Sequence, residues 1–242
     1  MNLNPRKFLK GMPGVFDLGK NISRKLGNKT ELYLSLNRFF NRHKQLTFIQ
    51  IGANDGISND PFREFILRRD MHGVLVEPLP FLFKKLKNNY KSKHNLIFEN
   101  CAVSYNTSEL EIYTLNEEFL NFIPDSESLS GLASFEKEHI LKHIGLGNEK
   151  FITNLKVPTK TIENIQSEYN FVSFDCLFMD IEGYESEIID KIDFEKIQPK
   201  LIVYEFIHLG YKKIYIDKIL INKGYKLKDC LQDTVAIRDD FT

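Results

Sequence analysis

The chain has 242 residues, of which 42% are hydrophobic and 27% are charged, and its formal net charge is zero, which is ordinary for a globular protein with a sizeable core. No window approaches the run of roughly 20 apolar residues that a membrane-spanning helix needs, and the first ten residues lack the apolar core and cleavage site of a secretory signal. We therefore expect a cytoplasmic enzyme with one α/β domain behind an N-terminal extension.

Charge is distributed unevenly along the chain. Residues 1–45 carry ten lysines and arginines against Asp17 and Glu31, a balance of +8 that leaves −8 for the remainder. This basic extension can contact an anionic membrane surface, although we favour a solvated arm or packing on the acidic remainder. A nucleic-acid partner is disfavoured because no aromatic-interleaved motif accompanies the basic residues. Residues 30–44 predict an amphipathic helix that covers the sheet through Leu32, Leu36, Phe39 and Phe40.

Residues 47–56, with the sequence Thr-Phe-Ile-Gln-Ile-Gly-Ala-Asn-Asp-Gly, are the first informative stretch. The first five residues predict a short buried strand, and Gly52 follows where the backbone must turn sharply. Ligands of open α/β sheets bind beyond the carboxyl ends of the strands, so this turn is where a nucleotide-like cofactor is expected. An ordinary strand-to-helix turn is the alternative for so short a motif.

An acidic residue at the end of the next predicted strand strengthens the cofactor interpretation. A helix capped by one of residues 58–60 follows the turn, and residues 73–76 predict a second buried strand closed by Glu77 and Pro78. Glu77 lies 21 residues after Gly56, where a carboxylate can accept both hydroxyl protons of an adenosine ribose. We favour ribose binding over a surface acid that precedes a proline.

The middle of the chain predicts an adenine site and a cover for the ligand. Residues 96–103 form a third predicted strand, whose small terminal residues Ala102 and Val103 leave room for an adenine ring. Residues 116–156 are polar and longer than a crossover connection requires, so we interpret them as a candidate substrate lid. His139 and His143 lie four residues apart on a predicted helix there, but we favour a solvated or lid-facing pair over a metal site.

Two later predicted strands also end in acidic residues. The buried run 176–179 is followed by Asp180 and Glu182, and the run 201–204 by Glu205, with His208 three residues further on. At the ligand edge of the sheet such groups can hold a cationic ligand, a metal or a hydroxyl proton. A closing antiparallel hairpin is predicted after residue 224, and the three widely separated cysteines are expected to be buried reduced thiols.

Four of these motifs together resemble the FkbM-type family of S-adenosylmethionine-dependent methyltransferases. They are residues 48–56, 74–78, 102–104 and 179–185, in that order. The resemblance implies a methyltransferase domain over residues 46–242 with a Rossmann-like class I fold: a central, mostly parallel seven-stranded sheet whose last strand is reversed, with helices on both faces. It also implies O-methylation of a hydroxyl on a sugar, glycan or other polyhydroxylated natural product.

The resemblance also implies a set of donor-binding residues: Gln50, Gly52, Ala53, Asn54, Asp55, Gly56, Glu77, Pro78, Ala102, Val103 and Asp180. Within this set, Glu77 is expected to hold the ribose, and Asp180 to face the sulfonium and the incoming hydroxyl. Many members of the family have an acid where this chain has Gln50. An amide can still hydrogen-bond the amino group of the donor.

The chemistry implied leaves several alternatives open. A hydroxyl acceptor must lose its proton, and Asp180, Glu182 or His208 can serve as the base, with Asp180 favoured. A divalent ion held by Asp180, Glu205 and His208 ranks below this metal-free base.

Two rival functions share the predicted fold. One is an NAD(P)-dependent oxidoreductase of Rossmann type, although the turn lacks the three-glycine spacing expected for a pyrophosphate. The other is a catalytically inactive module that binds an adenosyl ligand. Acids at three strand ends speak against the inactive module.

Overall fold

The computed structural model describes residues 31–242 except 70, 107, 117–118, 120–131, 135 and 172, so expectations for residues 1–30 lie outside this part of the chain. Contacts divide the chain into two compact units, a larger one of Lys29–Leu110 with Pro158–Thr242, and a smaller one that includes Glu111–Val157. None of the helices in the described residues is long and apolar enough to cross a membrane.

The helices and strands follow one another as α1 (31–42), β1 (Thr47–Ile51), α2 (Arg63–Arg69), β2 (His72–Val76), α3 (Pro80–Asn89), β3 (Leu96–Glu99), β4 (Ala102–Val103), β5 (Glu109–Leu115), β6 (Ala133–Ser134), α4 (Lys137–Ile144), β7 (Ile152–Lys160), α5 (Ile162–Glu168), β8 (Cys176–Met179), α6 (Glu185–Lys191), β9 (Leu201–Glu205), α7 (Lys212–Asn222), β10 (Tyr225–Cys230) and β11 (Asp233–Arg238). Short 3-10 helices occupy Glu149–Phe151 and Asp239–Phe241.

A seven-stranded sheet is the centre of the larger unit, and its strand order within the described residues is β10-β11-β9-β8-β1-β2-β3. The strands β9, β8, β1, β2 and β3 are parallel to their neighbours in this series. Strand β11 lies between β9 and β10 and is antiparallel to both. The predicted architecture, a mostly parallel seven-stranded sheet with a reversed last strand, is therefore confirmed.

The inner strands form because both of their faces are buried. Ile49 and Ile51 of β1 belong to one hydrophobic cluster, whereas Phe48 belongs to another on the opposite face. Gly73 is the register partner of Phe48, and a Cβ on Gly73 would lie 2.3 Å from the Phe48 ring. Glycine therefore makes room on β2 for this aromatic ring.

Helix α1 covers one face of the sheet, as the sequence predicts. Its apolar residues are buried in the same cluster as Phe48 and Phe178: Leu32, Leu36, Phe39 and Phe40. Helix α2 is preceded by Asp60, whose carboxylate accepts hydrogen bonds from the backbone N–H groups of Phe62 and Arg63 at 2.9 and 3.3 Å. Of the three capping candidates, Asp60 is therefore the one that satisfies the first turn.

The predicted strand over residues 96–103 is wrong in one respect, because it is broken into β3 and β4. The side-chain amide of Asn100 donates to the backbone oxygens of Glu77 and Pro78, at 2.8 and 3.0 Å, and this pulls the chain out of the ladder after Glu99. Strand β4 instead pairs in parallel with the end of β7. Cys101 lies between the two strands, and all three cysteines are free and buried as expected.

The smaller unit has a core of its own. Strands β5 and β6 pair in antiparallel fashion, with Tyr113 opposite Ser134. Helix α4 buries Ile140 and Ile144 in a cluster with Phe119 and Phe151. The rings of His139 and His143 lie 5.0 Å apart on this helix. The structure leaves the substrate-lid role of residues 116–156 as a prediction.

Candidate active site

The end of β1 turns sharply and touches the end of β8. The backbone N–H groups of Gly52 and Ala53 both donate to the carbonyl oxygen of Val76, at 3.0 Å each. Gly52 has a φ of +80°, and a Cβ there would lie 1.9 Å from the carbonyl oxygen of Asp180. Only glycine tolerates both the left-handed backbone and this close approach. The turn therefore holds Asp180 beside the predicted cofactor loop.

Asp55 stabilises the loop that follows. Its carboxylate accepts hydrogen bonds from the backbone N–H groups of Ile57 and Ser58, at 2.8 and 2.7 Å, and from the Ser58 hydroxyl at 2.9 Å. Burial acts to raise the pKa of Asp55, but these hydrogen bonds outweigh burial and hold that pKa below its usual value. Asp55 is therefore an anionic side chain that fixes the loop, and its donor-binding role stays a prediction.

The other small residues of the loop pack against protein. Ala53 is buried, and a Cβ on Gly56 would lie 2.5 Å from the Tyr90 ring and 2.6 Å from a Leu86 methyl group. The glycine at position 56 is thus required by packing against α3, whether or not a ligand lies nearby. Ala102 is buried with its neighbour Val103, so the predicted adenine contact remains untested.

Glu77 is a buried carboxylate that reaches the loop. Only 4% of the residue is exposed, and its two oxygens accept hydrogen bonds from the backbone N–H groups of Asn54 and Leu79, at 2.9 and 2.8 Å. Burial raises the pKa of Glu77 to about 7, and the nearby Asp180 carboxylate adds to the rise. Each carboxylate oxygen keeps a second lone pair, so Glu77 can also accept protons from ligand hydroxyls.

Gln50 carries a buried acceptor that lacks a partner. The residue is 5% exposed, and its side-chain amide donates a hydrogen bond to Asp60. Its Oε1 atom is buried and has no hydrogen-bond partner within the described part of the chain. Buried polar atoms are nearly always paired, so an orphaned oxygen in a ligand-binding fold points to a donor on a ligand, such as an ammonium group.

Carboxyl groups gather beyond the ends of β8 and β9. The Asp180 residue is exposed to water, but many protein atoms surround its carboxyl group. This partial burial raises the pKa of Asp180, and the charge of Asp60 adds to the rise. Burial raises the pKa of Glu182 to about 7, and the charge of Asp180 adds to it. Burial likewise raises the pKa of Glu205, and Asp180 and its acidic neighbours add to that rise. These carboxyl groups are therefore near enough to raise one another's pKa values.

His208 lies among these acids. Its Nε2 atom is 3.2 Å from a Glu182 oxygen and 3.8 Å from a Glu205 oxygen. Gly183 has a φ of +102°, and a Cβ there would lie 3.2 Å from the Cβ of His208. The lack of a side chain at Gly183 therefore lets His208 pack closely against the segment after β8. The structure therefore brings two of the predicted base candidates, Glu182 and His208, together, with Glu205 beside them.

The site also contains two acids, Asp233 and Glu185, for which the sequence predicts no functional role. Asp233 is the register partner of Glu205, and burial raises its pKa to about 7 with a contribution from Asp180. Because β11 is antiparallel, it starts at the edge where β9 ends, and the sequence around Asp233 carries no signal for this. Glu185 is buried, and it accepts hydrogen bonds from the backbone N–H groups of Ile181 and Gly183 at 2.8 and 3.0 Å.

The chain matches one family model and several known structures. The model, described as the Methyltransferase FkbM domain, matches residues 50–227, whereas no curated protein matches by sequence. The structure of methyltransferase FkbM from Methylobacillus flagellatus KT has a TM-score of 0.50 at 13% identity. That likeness covers 80% of this chain but 43% of the other, so this chain spans less than half the length of that protein.

Two further structures are similar at lower TM-scores. N-methyltransferase NodS from Bradyrhizobium japonicum WM9 has 10% identity and a TM-score of 0.44, covering 87% of this chain and 94% of that one. Aeropyrum pernix fibrillarin, with natively bound S-adenosyl-L-methionine, has 10% identity and a TM-score of 0.41, covering 81% and 66%. Likenesses at these identities concern the fold and not the reaction.

The family model extends over well more than half of the chain, and it includes the β1 turn, Glu77 and the acids after β8 and β9. The NAD(P)-dependent alternative is therefore wrong. This chain belongs to the FkbM family of methyltransferases, which use S-adenosylmethionine as the methyl donor.

Proposed function

We propose that this methyltransferase acts on oxygen, and that its acceptor is a hydroxyl of a sugar, glycan or other polyhydroxylated natural product. The observation that carries the proposal is the pair of acids Glu182 and Glu205 at His208, together with Asp180 at the Gly52 turn, and burial raises the pKa values of all three carboxyl groups. A hydroxyl nucleophile has to lose its proton, and a base whose pKa is near neutrality is suited to that task. Carboxylates are also good acceptors for several sugar hydroxyls.

The residues of the loop fit the donor. S-adenosylmethionine supplies a methyl group that its sulfonium already activates, so the tasks left to the protein are positioning and proton removal. Gln50 Oε1, buried and unpartnered, suits the ammonium group of the donor. Glu77 has lone pairs for the ribose hydroxyls.

Asp180 is the residue that we assign as the base. It is accessible to water, it follows β8 directly, and its backbone is held against the β1 turn by the hydrogen bond from its N–H to the carbonyl of Ile51 at 3.1 Å. Burial raises its pKa toward the operating pH, so that its carboxylate can accept the acceptor's hydroxyl proton and release it again. His208 and Glu182 are the alternative bases.

The assignment of Asp180 is tested by separating turnover from donor binding. In Asp180→Asn we expect methyl transfer to be abolished, while calorimetry shows adenosylhomocysteine binding within a few fold of the wild type. Asp193→Asn is the control. The Asp193 carboxylate pairs with Lys196 at a distance of 2.8 Å and does not belong to this group of acids, so its loss should leave turnover unchanged. Unchanged turnover in Asp180→Asn would remove Asp180 from the mechanism.

The acceptor class is tested with labelled donor. Incubation with free sugars, lipid-linked glycans, nucleotide sugars and matched amino sugars should transfer the label to a hydroxyl of at least one carbohydrate. Product analysis that places every transferred methyl group on nitrogen would contradict O-methylation. A carbohydrate panel that stays unlabelled, while another hydroxylated compound accepts the methyl group, would reject the carbohydrate assignment.

A divalent ion held by Asp180, Glu205 and His208 stays the second mechanistic hypothesis from the sequence, because the ligand atoms of these three residues do not form a metal-binding group in the described part of the chain. The Glu205 oxygen that faces His208 lacks a hydrogen bond in the described residues, which leaves it available as a ligand. Loss of turnover with a chelator, restored by Mg²⁺ or Mn²⁺, would favour the ion over the metal-free base. Membrane contact by residues 1–45, the lid role of residues 116–156 and a cytoplasmic location stay predictions of the sequence.

A further inference from the structure

The side-chain amide of Gln50 has two ends with different surroundings. Its nitrogen end donates to the Asp60 carboxylate, whereas its oxygen end is buried without a partner in the described chain. Rotation of the amide by half a turn would place Oε1 against the Asp60 carboxylate, where two acceptors would face each other. The contact with Asp60 therefore determines which way the Gln50 amide points.

Asp60 is itself fixed in place. Its Oδ1 accepts hydrogen bonds from the backbone N–H groups of Phe62 and Arg63, at 2.9 and 3.3 Å, and its Oδ2 lies 3.5 Å from the Tyr90 hydroxyl. Arg63 is anchored in turn, because its guanidinium donates to the Gly56 carbonyl at 2.7 Å and lies 4.7 Å above the Tyr90 ring. The Asp60 carboxyl group is thus held in a fixed position just before α2.

We propose that Asp60 is a positioning residue for donor binding, which holds the Gln50 amide so that Oε1 receives the ammonium group of the methyl donor. The inference rests on the proposed donor site. Its new content is that Asp60, just before α2, places a carboxyl group near this ammonium group, with the Gln50 amide between the two. Gln50 and Asp60 then act as one unit, and neither residue alone is sufficient.

Two ligands separate this role from a general structural one. Adenosylhomocysteine carries the ammonium group, whereas 5′-methylthioadenosine has the same nucleoside and thioether but lacks the amino-acid portion. A defect in amide orientation should weaken only the first ligand. A defect in folding of the loop should weaken both.

The first variants remove either member of the unit. In Asp60→Asn, Oδ1 can still cap α2, but the new NH₂ group favours the flipped Gln50 amide. We expect calorimetry to show about tenfold weaker binding of adenosylhomocysteine, a usual cost for a lost hydrogen bond to a charged group, with methylthioadenosine changed less than about twofold. Gln50→Met should show the same split. Adding Asp60→Asn to Gln50→Met should weaken adenosylhomocysteine no further, because the two changes remove one interaction.

Two more variants keep the proposal open to refutation. Asp60→Ser retains a capping oxygen for α2 but cannot reach Gln50, and it should reproduce the split if Asp60→Asn folds poorly. The exchange Gln50→Glu with Asp60→Asn returns the charge to the strand, and it should restore adenosylhomocysteine binding to within about threefold of the wild type.

The outcomes are distinguishable. Equal weakening of both ligands in the folded Asp60 variants, no weakening at all, or additive losses in the double variant would each overturn the positioning role. Failure of the wild-type protein to bind adenosylhomocysteine would instead reject the proposed donor site. Thermal unfolding of each variant without ligand checks that the fold is retained.

Discussion

The close contact between Gly52 and Asp180 predicts that a substitution at Gly52 strongly destabilises the protein. A methyl group added at Gly52 would lie 1.9 Å from the carbonyl oxygen of Asp180 and 2.9 Å from its carbonyl carbon, and the φ of +80° is unfavourable for any other residue. Gly224 is a matched control, because its φ is +84° and nothing lies within 4 Å of the added Cβ. Both substitutions to alanine therefore carry the backbone strain, and only Gly52→Ala carries the clash.

The magnitudes follow from these two terms. The left-handed conformation should cost about 1 kcal/mol in either variant. The clash with backbone atoms should add about 2 kcal/mol, as in overpacked cores, because the ends of β1 and β8 have to separate. For a chain of this size, we expect Gly224→Ala to lower the melting temperature by roughly 2–4 °C and Gly52→Ala by roughly 6–12 °C.

Thermal unfolding and urea unfolding of the two variants measure these effects. Gly52→Ala should also lose methyl transfer more severely than Gly224→Ala at a temperature where both variants are folded, because separation of the strands displaces Asp180. Equal losses of stability in the two variants would refute the reasoning. The close approach of the strand ends would then not be a feature of the folded protein.

Two further predictions concern the acids. Burial raises the pKa values of Glu182 and Asp233 to about 7, well above those in an unfolded chain, so their contribution to stability is complete at low pH and is lost as pH rises from about 4 through 7. As pH rises from roughly 5 to 8, urea unfolding of the double variant Glu182→Gln with Asp233→Asn should therefore show increasing stability relative to the wild type, and a parallel pH dependence of the two proteins would contradict this. Glu185→Leu should lose about 2–4 kcal/mol because two backbone N–H groups lose their acceptor, whereas Glu187→Leu on the same helix should lose less than about 1 kcal/mol. Similar losses would show that Glu185 does not hold the loop.

The sequence predicts the central strands well because both of their faces are buried. Continuous apolar runs such as residues 176–179 follow from burial on two sides, and the glycine and acids after them mark the ligand edge. The family motifs add the order of the strands. Local chemistry also limits the cap of α2 to three residues, but the hydrogen bonds that select Asp60 depend on the folded geometry.

Other features depend on contacts between distant segments. The break after Glu99 requires Asn100 to reach the carbonyls that follow β2, and an apolar pattern over residues 96–103 contains no sign of it. Asp233 reaches the site only because β11 is antiparallel and in register with Glu205. The orientation of the Gln50 amide likewise depends on a partner ten positions away.

Insertion of β11 between β9 and β10 affects how the protein is made on the ribosome. The strand pairs with β9 on one side and β10 on the other, so translation must pass Arg238 before these two neighbours can be joined. A nascent chain stopped at Gln232 would present the unpaired edge of β9, Leu201–Glu205, to other chains. Truncated products should therefore aggregate instead of accumulating as partly active enzyme.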